Sequence, residues 1–312
     1  MQINTLVVHL GPHLDELIGL WLLRTRGEQK FPGVSKAKIV VWGKEELSRT
    51  SPEMAALSGI LLVGIGGGMF DDHVPGRRMD CATTLVAKHL DVYEDPVLKF
   101  FLQEVFLADS QCEGSLQNLA EEVKNLNRYW GGSIELERLY SQIEPFIVAR
   151  VERQKEYISA KKRFEECYRR RVGRFGIVAA DGIDNRQFQG VARAKRAHII
   201  VQRNEKGLTQ IFGHEDADMP GLAIRIRKAE ISLGKIRCRF IEDDELAGLG
   251  TLSEVPQWYF ENGNLLNGSE SFADVPPSLI EFHTLVGIIE KHLRELSLSR
   301  IPVPEPELQA VS

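Results

Sequence analysis

Three short apolar runs constrain this chain more than any other feature: NTLVVHL from Asn4, AKIVVWG from Ala37 and GILLVGIG from Gly59. Each is nearly continuous in Val, Ile and Leu, without the polar alternation of a strand that faces water on one side. A run that is apolar throughout must be buried on both faces. An apolar stretch with helical spacing, Leu14 to Arg24, separates the first run from the second, and polar or helical connections precede the third. Such strands alternating with helices predict an α/β fold with a parallel sheet covered on both sides. Functional groups in these sheets sit on loops leaving the C-terminal strand ends. His9 closes the first run and GIGGGMFDDH, Gly64 to His73, closes the third. Both therefore belong to one rim.

Helical patterns continue through Cys81–Leu90 and Pro96–Ala108, and a long charged helical segment covers roughly 135–170, ending in the basic run KKRFEECYRRRVGR. That run is read as a solvated helix face or a phosphate-binding path. A second domain is expected from near Phe175, with FGIVAAD, AHIIVQR and LTQIFG as strands of a smaller sheet and MPGLAIRIRKAEIS as a helix against it. The expected boundaries are 1–130 for the first domain, 131–173 for a connecting helical segment, 174–298 for the second domain and 299–312 for a mobile, Pro-rich tail.

The 312 residues carry a net charge of −5, which argues against bulk nucleic-acid binding through a basic coat but allows a local basic groove. Cys81, Cys112, Cys167 and Cys238 form no CxxC pair, so zinc-finger spacing is absent and reduced thiols are expected. No leader pattern and no apolar stretch of bilayer length is present, which predicts a soluble cytoplasmic chain with no membrane partner. The sequence leaves a homo-oligomer open.

In His9-Leu-Gly-Pro-His13-Leu-Asp15-Glu16, four residues of metal-ligating type lie within eight positions after a strand. Imidazole with carboxylate suits Mn, Fe or Zn. The same acids at a helix start also complement its N-terminal dipole, so both readings stand. Asp71-Asp72-His73 adds carboxylate and imidazole from a neighbouring strand end, or is a simple loop. Gly64–Gly68 lacks the Lys-Ser/Thr of a phosphate loop, and its glycines fit positive φ and close backbone approach better. In the second domain, Phe212-Gly213-His214 and the pair Arg225 and Arg227 are candidates for gripping phosphate, against an ordinary loop and a solvated helix face. In QWYFENGNLLNGSES, Trp258 and Tyr259 could stack on a base, or the run is a core strand with Asn267-Gly268-Ser269 as a hairpin turn.

HLGPHLDELIGLWLLR resembles the first motif of the DHH phosphoesterase superfamily, and is nearest the T-H-x-G-x-x-H-x-D-E-A form of the Myg exonuclease branch. GGGMFDDHVPGRRMDCATTLVAKHLDV resembles that branch's G-G-x-Y-D…D-H-H segment and its succeeding helix, with Leu85, Val86, Lys88 and His89 matching. EVFLADSQCEG is similar to the stretch that closes the site. The resemblance covers roughly residues 4–112. It implies an N-terminal parallel-sheet DHH-like domain, a smaller C-terminal α/β domain and a cleft between them. It also implies His9, His13, Asp15, Asp72 and Asp109 as metal ligands, with His73 facing the substrate phosphate and Asp71 beside it for the chemical step. His89, His214, Arg225 and Arg227 are the implied substrate contacts. The cofactor would be a divalent ion, Mn first, with Mg, Co, Fe or Zn as alternatives.

Two departures qualify the resemblance. The aspartate that bridges two ions in V-V-D-V-G is replaced by Gly64, and the middle histidine of DHH is Asp72. Three outcomes are open, in which Asp71, Asp72 or Glu16 substitutes, the site holds one ion, or catalysis is lost while binding remains. The expected activity is metal-dependent hydrolysis of a phosphodiester in a nucleotide or short RNA or DNA, by resemblance at an RNA 3′ end. The alternative is a degenerate relative that binds a nucleotide or protein without turnover.

Overall fold

The computed structural model describes residues 2–77, 79–129, 136–234, 240–268 and 275–299. The chain divides into two units, Met1–Lys155 and Glu156–Ser312. The first contains β1 (Thr5–His9), α1 (Leu14–Arg26), β2 (Lys38–Trp42), α2 (Lys44–Arg49), α3 (Pro52–Leu57), β3 (Ile60–Leu62), α4 (Ala82–His89), α5 (Lys99–Ser110), α6 (Gln117–Tyr129) and most of α7 (Leu136–Glu166). Among the described residues its sheet is three parallel strands in the order β2-β1-β3, with Val7 paired to both Val40 and Leu62.

The apolar runs fill both faces as their composition requires. Leu6 and Val8 enter the main core with Leu17, Leu20, Val86, Leu102 and Val105, while Val7 points the other way to Ala55, Leu62 and Ile65. Leu6, Val7 and Val8 are completely buried, each worth about 1.5–3 kcal/mol relative to exposure. Every residue of α1 from Leu14 to Leu23 is buried, so this helix is enclosed rather than amphipathic. Asp15 and Glu16 occupy its first turn and Arg24 and Arg26 its last, matching the helix dipole at both ends. α1 packs on α4 and α5, and this packing brings the acids of its first turn to the rim.

The second unit contains β4 (Tyr168–Val172), β5 (Phe175–Asp181), α8 (Phe188–Ala194), β6 (Ile199–Arg203), β7 (Thr209–Gly213), α9 (Met219–Gly234), α10 (Asp243–Leu246), β8 (Gly250–Leu252), β9 (Val255–Glu261), β10 (Asn264–Leu266) and α11 (Phe282–Ser299). Its sheet runs β4-β5-β6-β7-β10-β9-β8, with β5 and β6 parallel and the other pairs antiparallel. Ile177, Ile199 and Ile211 face α9 and α11, while Val178 and Ile200 face α8 and the end of α7.

Three expectations change here. The second sheet is the larger, with seven described strands against three, and the second unit is as long as the first. The basic run is not wholly helical: α7 ends at Glu166, and Tyr168–Val172 forms the edge strand β4. Charges on an edge strand discourage pairing with other chains, and Arg170 spends its charge on Glu290 at 2.9 Å. The WYF run is a core strand, with Trp258 fully buried, but its hairpin turns at Asn262-Gly263. Ser269, Cys238 and the tail beyond Ser299 lie outside the described residues.

Candidate metal centre

The strands β1 and β3 end side by side, and each hands a loop to the same rim. Past β3 the Val63 N–H still donates to Val7 O at 2.8 Å, and the Gly64 N–H donates to Phe70 O at 2.9 Å. The chain thus leaves the sheet at Gly64 and returns at Phe70. Asp71 organises the loop on both sides of that return. Its buried carboxylate accepts the Gly67 N–H at 2.7 Å and the His73 N–H at 2.9 Å, and lies 3.0 Å from His73 Nδ1. The Arg77 guanidinium donates to the carbonyls of Gly68 and Asp71, at 2.7 and 2.8 Å, and staples the loop. The His73 ring itself is exposed. Partial burial works against its protonation, but the Asp71 hydrogen bond and the charges of Asp72, Asp71 and Glu16 outweigh it and raise its pKa.

The first turn of α1 supplies the opposite wall. His13 stands just before the helix, and its N–H donates to Glu16 Oε2 at 2.5 Å, the spacing of a capping box. Glu16 Oε1 lies 2.9 Å from His9 Nε2, and His9 Nδ1 lies 2.8 Å from Leu10 O. A carbonyl can only accept, so Nδ1 carries a hydrogen. Nε2 then confronts a carboxylate oxygen, and a proton or a metal ion must lie between the two lone pairs. Metal–N and metal–O bonds of about 2.0–2.2 Å put adjacent ligand atoms about 3 Å apart, which suits this contact.

Asp15 is buried against α4, where its Oδ2 accepts the Ala82 N–H at 3.1 Å and its own carbonyl takes the Thr83 hydroxyl. Burial, and then the charges of Glu16, Asp109 and Asp72, push its carboxyl well above the ordinary range. Asp109, on α5, is raised by burial and then by Asp72. Burial also raises Glu16, against the opposing pull of His9. His9 goes up mainly through its Glu16 hydrogen bond, and His13 goes down through burial and the neighbouring His9.

These groups line a cavity of about 630 Å³ bounded by His9, His13, Asp15, Glu16, Gly64, Ile65, Gly66, Asp71, Asp72, His73 and Asp109. No lysine or arginine is among the described residues of that lining. Within it, the ligand atoms of His9, His13 and Glu16 lie within 4.8 Å of one another, as do those of His13, Asp15 and Asp109, and those of Asp71, Asp72 and His73. The carboxyls of Asp15, Glu16 and Asp109 are all raised in this cavity, whose described lining holds no lysine or arginine, and a bound cation would relieve the three at once. The donor set therefore fits a divalent ion.

All seven residues expected as metal ligands or for the chemical step (His9, His13, Asp15, Asp71, Asp72, His73 and Asp109) line this one cavity. His89, the expected substrate contact of the same unit, does not. His89 stacks on Phe31 at 5.2 Å and meets Phe70 edge-on, outside the lining. His214 precedes a short 3-10 turn, where its Nδ1 faces the Asp216 N–H at 3.3 Å. Arg225 pairs with Glu295.

Arg227 requires correction as a substrate arginine. It is completely buried and donates to the carbonyls of Leu246 and Gly248 at 2.8 Å, of Trp258 at 3.2 Å and of Gly250. It holds α9 to β8 and β9. Its stripe is visible in the sequence: Ala223, Arg227 and Glu230 recur at helical spacing, and all three are buried.

Glu16, which the sequence leaves open as a ligand or a dipole complement, lines the cavity as well. The signal is its place three residues after the helix-preceding His13, which turns a glutamate back toward the helix start.

No family model matches the chain, and no curated protein does. Among solved structures it is similar to an uncharacterized protein from Helicobacter pylori G27, at 10% identity and a TM-score of 0.25, over 96% of this chain and 100% of that one. That likeness is too slight to bear on fold or function.

Proposed function

We propose that this chain is a metal-dependent phosphodiester hydrolase acting on a nucleotide or short oligonucleotide. One observation carries the reading: five carboxylates and three imidazoles line one cavity with no lysine or arginine among its described residues. Such a cavity repels a phosphodiester on its own and accepts one only with cations in place. Mixed N and O donors suit Mn, Fe or Zn, with Mg and Co as further candidates, and the choice of Mn first rests on the DHH-like motifs. A bound ion would supply Lewis acidity toward a phosphoryl oxygen and a water nucleophile at neutral pH.

The chain's own residues do the rest. His9, His13, Asp15, Asp72 and Asp109 are assigned to holding the ion or ions. Asp71 fixes the His73 ring through its backbone and side chain, and the exposed imidazole is thereby presented to ligand. In its protonated form, which the surrounding carboxylates favour, it can donate to a phosphate oxygen or to the leaving oxygen. The choice of a nucleic-acid substrate, and of an RNA 3′ end in particular, rests on the DHH-like motifs. Of the expected contacts in the second unit, Arg227 is withdrawn by its burial, while His214 and Arg225 are assigned to substrate by the resemblance alone.

The test is release of mononucleotides from a short 5′-labelled RNA with Mn, with the wild type beside Asp15→Asn. Activity that needs both Mn and Asp15 supports the assignment. A folded protein that binds Mn but hydrolyses neither RNA, DNA nor small phosphodiesters with Mn, Mg, Co, Fe or Zn is instead the non-catalytic binder.

A further inference from the structure

Gly64 and Glu16 compete for one volume. Gly64 has φ +68°, and a Cβ built on it would stand 2.5 Å from Glu16 Oε1, 2.7 Å from its Cγ and 2.9 Å from its Cδ. No real Cβ tolerates such contacts. The backbone there is fixed by the hydrogen bond from Gly64 N–H to Phe70 O. Glu16 is fixed as well, with a buried side chain and Oε2 held by the His13 N–H. Positive φ alone does not demand glycine, since Asn and Asp also enter that region. The occupied space does. The carboxylate of α1 fills the place where any side chain at the end of β3 would begin.

We infer that Glu16, through Oε1, is the metal-ligating carboxylate on the β3 side of this cavity, and that Gly64 is the complementary residue that makes room for it. The inference rests on the divalent-ion reading above and extends it. Oε2 is committed to the backbone, whereas Oε1 faces His9 Nε2 at 2.9 Å. His9 Nδ1 is committed to Leu10 O, so Nε2 is the nitrogen left to bind. With the nearby His13, these atoms form a two-nitrogen, one-oxygen set within 4.8 Å, and they receive a divalent cation beside the all-carboxylate pair Asp15 and Asp109. The missing carboxylate at position 64 is therefore an exchange between two elements and not a loss.

The exchange is tested by titrating Mn calorimetrically, and by metal content after dialysis, on wild type, Glu16→Gln, Gly64→Asp, Glu16→Ala and Glu16→Ala/Gly64→Asp. Glu16→Gln keeps the shape and the His13 hydrogen bond, and should weaken Mn binding at least ~10-fold, the scale on which even outer-shell partners act. Gly64→Asp alone should lose both melting temperature and Mn affinity, because two carboxylates then claim one space. The double variant should bind Mn more tightly than Glu16→Ala. Wild-type affinity in Glu16→Gln overturns the inference, and so does a folded double variant that binds no better than Glu16→Ala. If the double variant does not fold, the isosteric Glu16→Gln decides alone. A wild type that binds no Mn removes the metal reading itself, a distinguishable failure that takes this inference with it.

Discussion

Replacing Asp15 by asparagine should stabilise the metal-free protein and destroy its response to metal. The Asp15 and Asp109 carboxylates have oxygens within 4.8 Å of each other, and two unit charges at that range repel by about 3–4 kcal/mol at an effective dielectric near 20. The folded protein escapes part of this by holding a proton, as the raised carboxyl of Asp15 indicates. The relief from Asp15→Asn is therefore smaller, about 1–2 kcal/mol, or roughly 3–6 °C in melting temperature. The asparagine carbonyl can still accept the Ala82 N–H. Added Mn reverses the order, because an ion at 100 times its Kd stabilises the wild type by about 2.7 kcal/mol and the variant by far less. Thermal melts at pH 7, in chelator and then in Mn, read both halves. A variant less stable than wild type in chelator would refute the reasoning. It would mean that Asp15 works mainly as an anion at the α4 N-terminus.

Linkage adds a pH dependence. Between the ordinary carboxyl value of 3.8 and the raised folded value, the folded form holds more protons at Asp15 than the unfolded form. This contribution therefore favours the metal-free fold as pH falls into that window and disfavours it as pH rises. Melts across pH should show a smaller gain for Asp15→Asn than for wild type. Metal binding runs the other way: it must displace protons from these carboxyls and from His9, so Mn affinity measured by calorimetry should climb with pH. Arg227→Leu takes the donor from the buried carbonyls of Leu246 and Trp258 and should cost about 2–6 kcal/mol in denaturant melts, at about 1–3 kcal/mol for each, while Mn affinity stays at the wild-type value. His73→Ala should lower turnover by about 10²–10⁴-fold, the range for a lost general acid or base, without weakening Mn binding.

Much of the first unit is legible in the sequence because its strands are apolar at every position, and only a sheet buried on both faces accommodates Val7 beside Leu6 and Val8. The candidate rim residues are legible for the same reason, since His9 ends β1 and Gly64 follows β3, and parallel pairing brings both strand ends to one side. Position 64 is harder. The sequence offers Asp71, Asp72 or Glu16 as stand-ins for a carboxylate at this glycine, and only the tertiary approach of α1 shows that Glu16 occupies the space beside it. The second unit is less readable because its sheet uses short or charged strands. YRRRV has the composition of a solvated helix end, and β8 and β10 are three residues each. Arg227 misleads because a guanidinium that suits a phosphate suits a cage of backbone carbonyls equally well, and which one surrounds it depends on residues about 20–30 positions downstream.

The most direct measurement is anomalous diffraction at the Mn edge from crystals grown or soaked in Mn. The account predicts strong peaks inside the cavity, against His9, His13 and Glu16 and against Asp15 and Asp109. A well-ordered cavity with no peak, in crystals of the wild-type protein at saturating Mn, would contradict it.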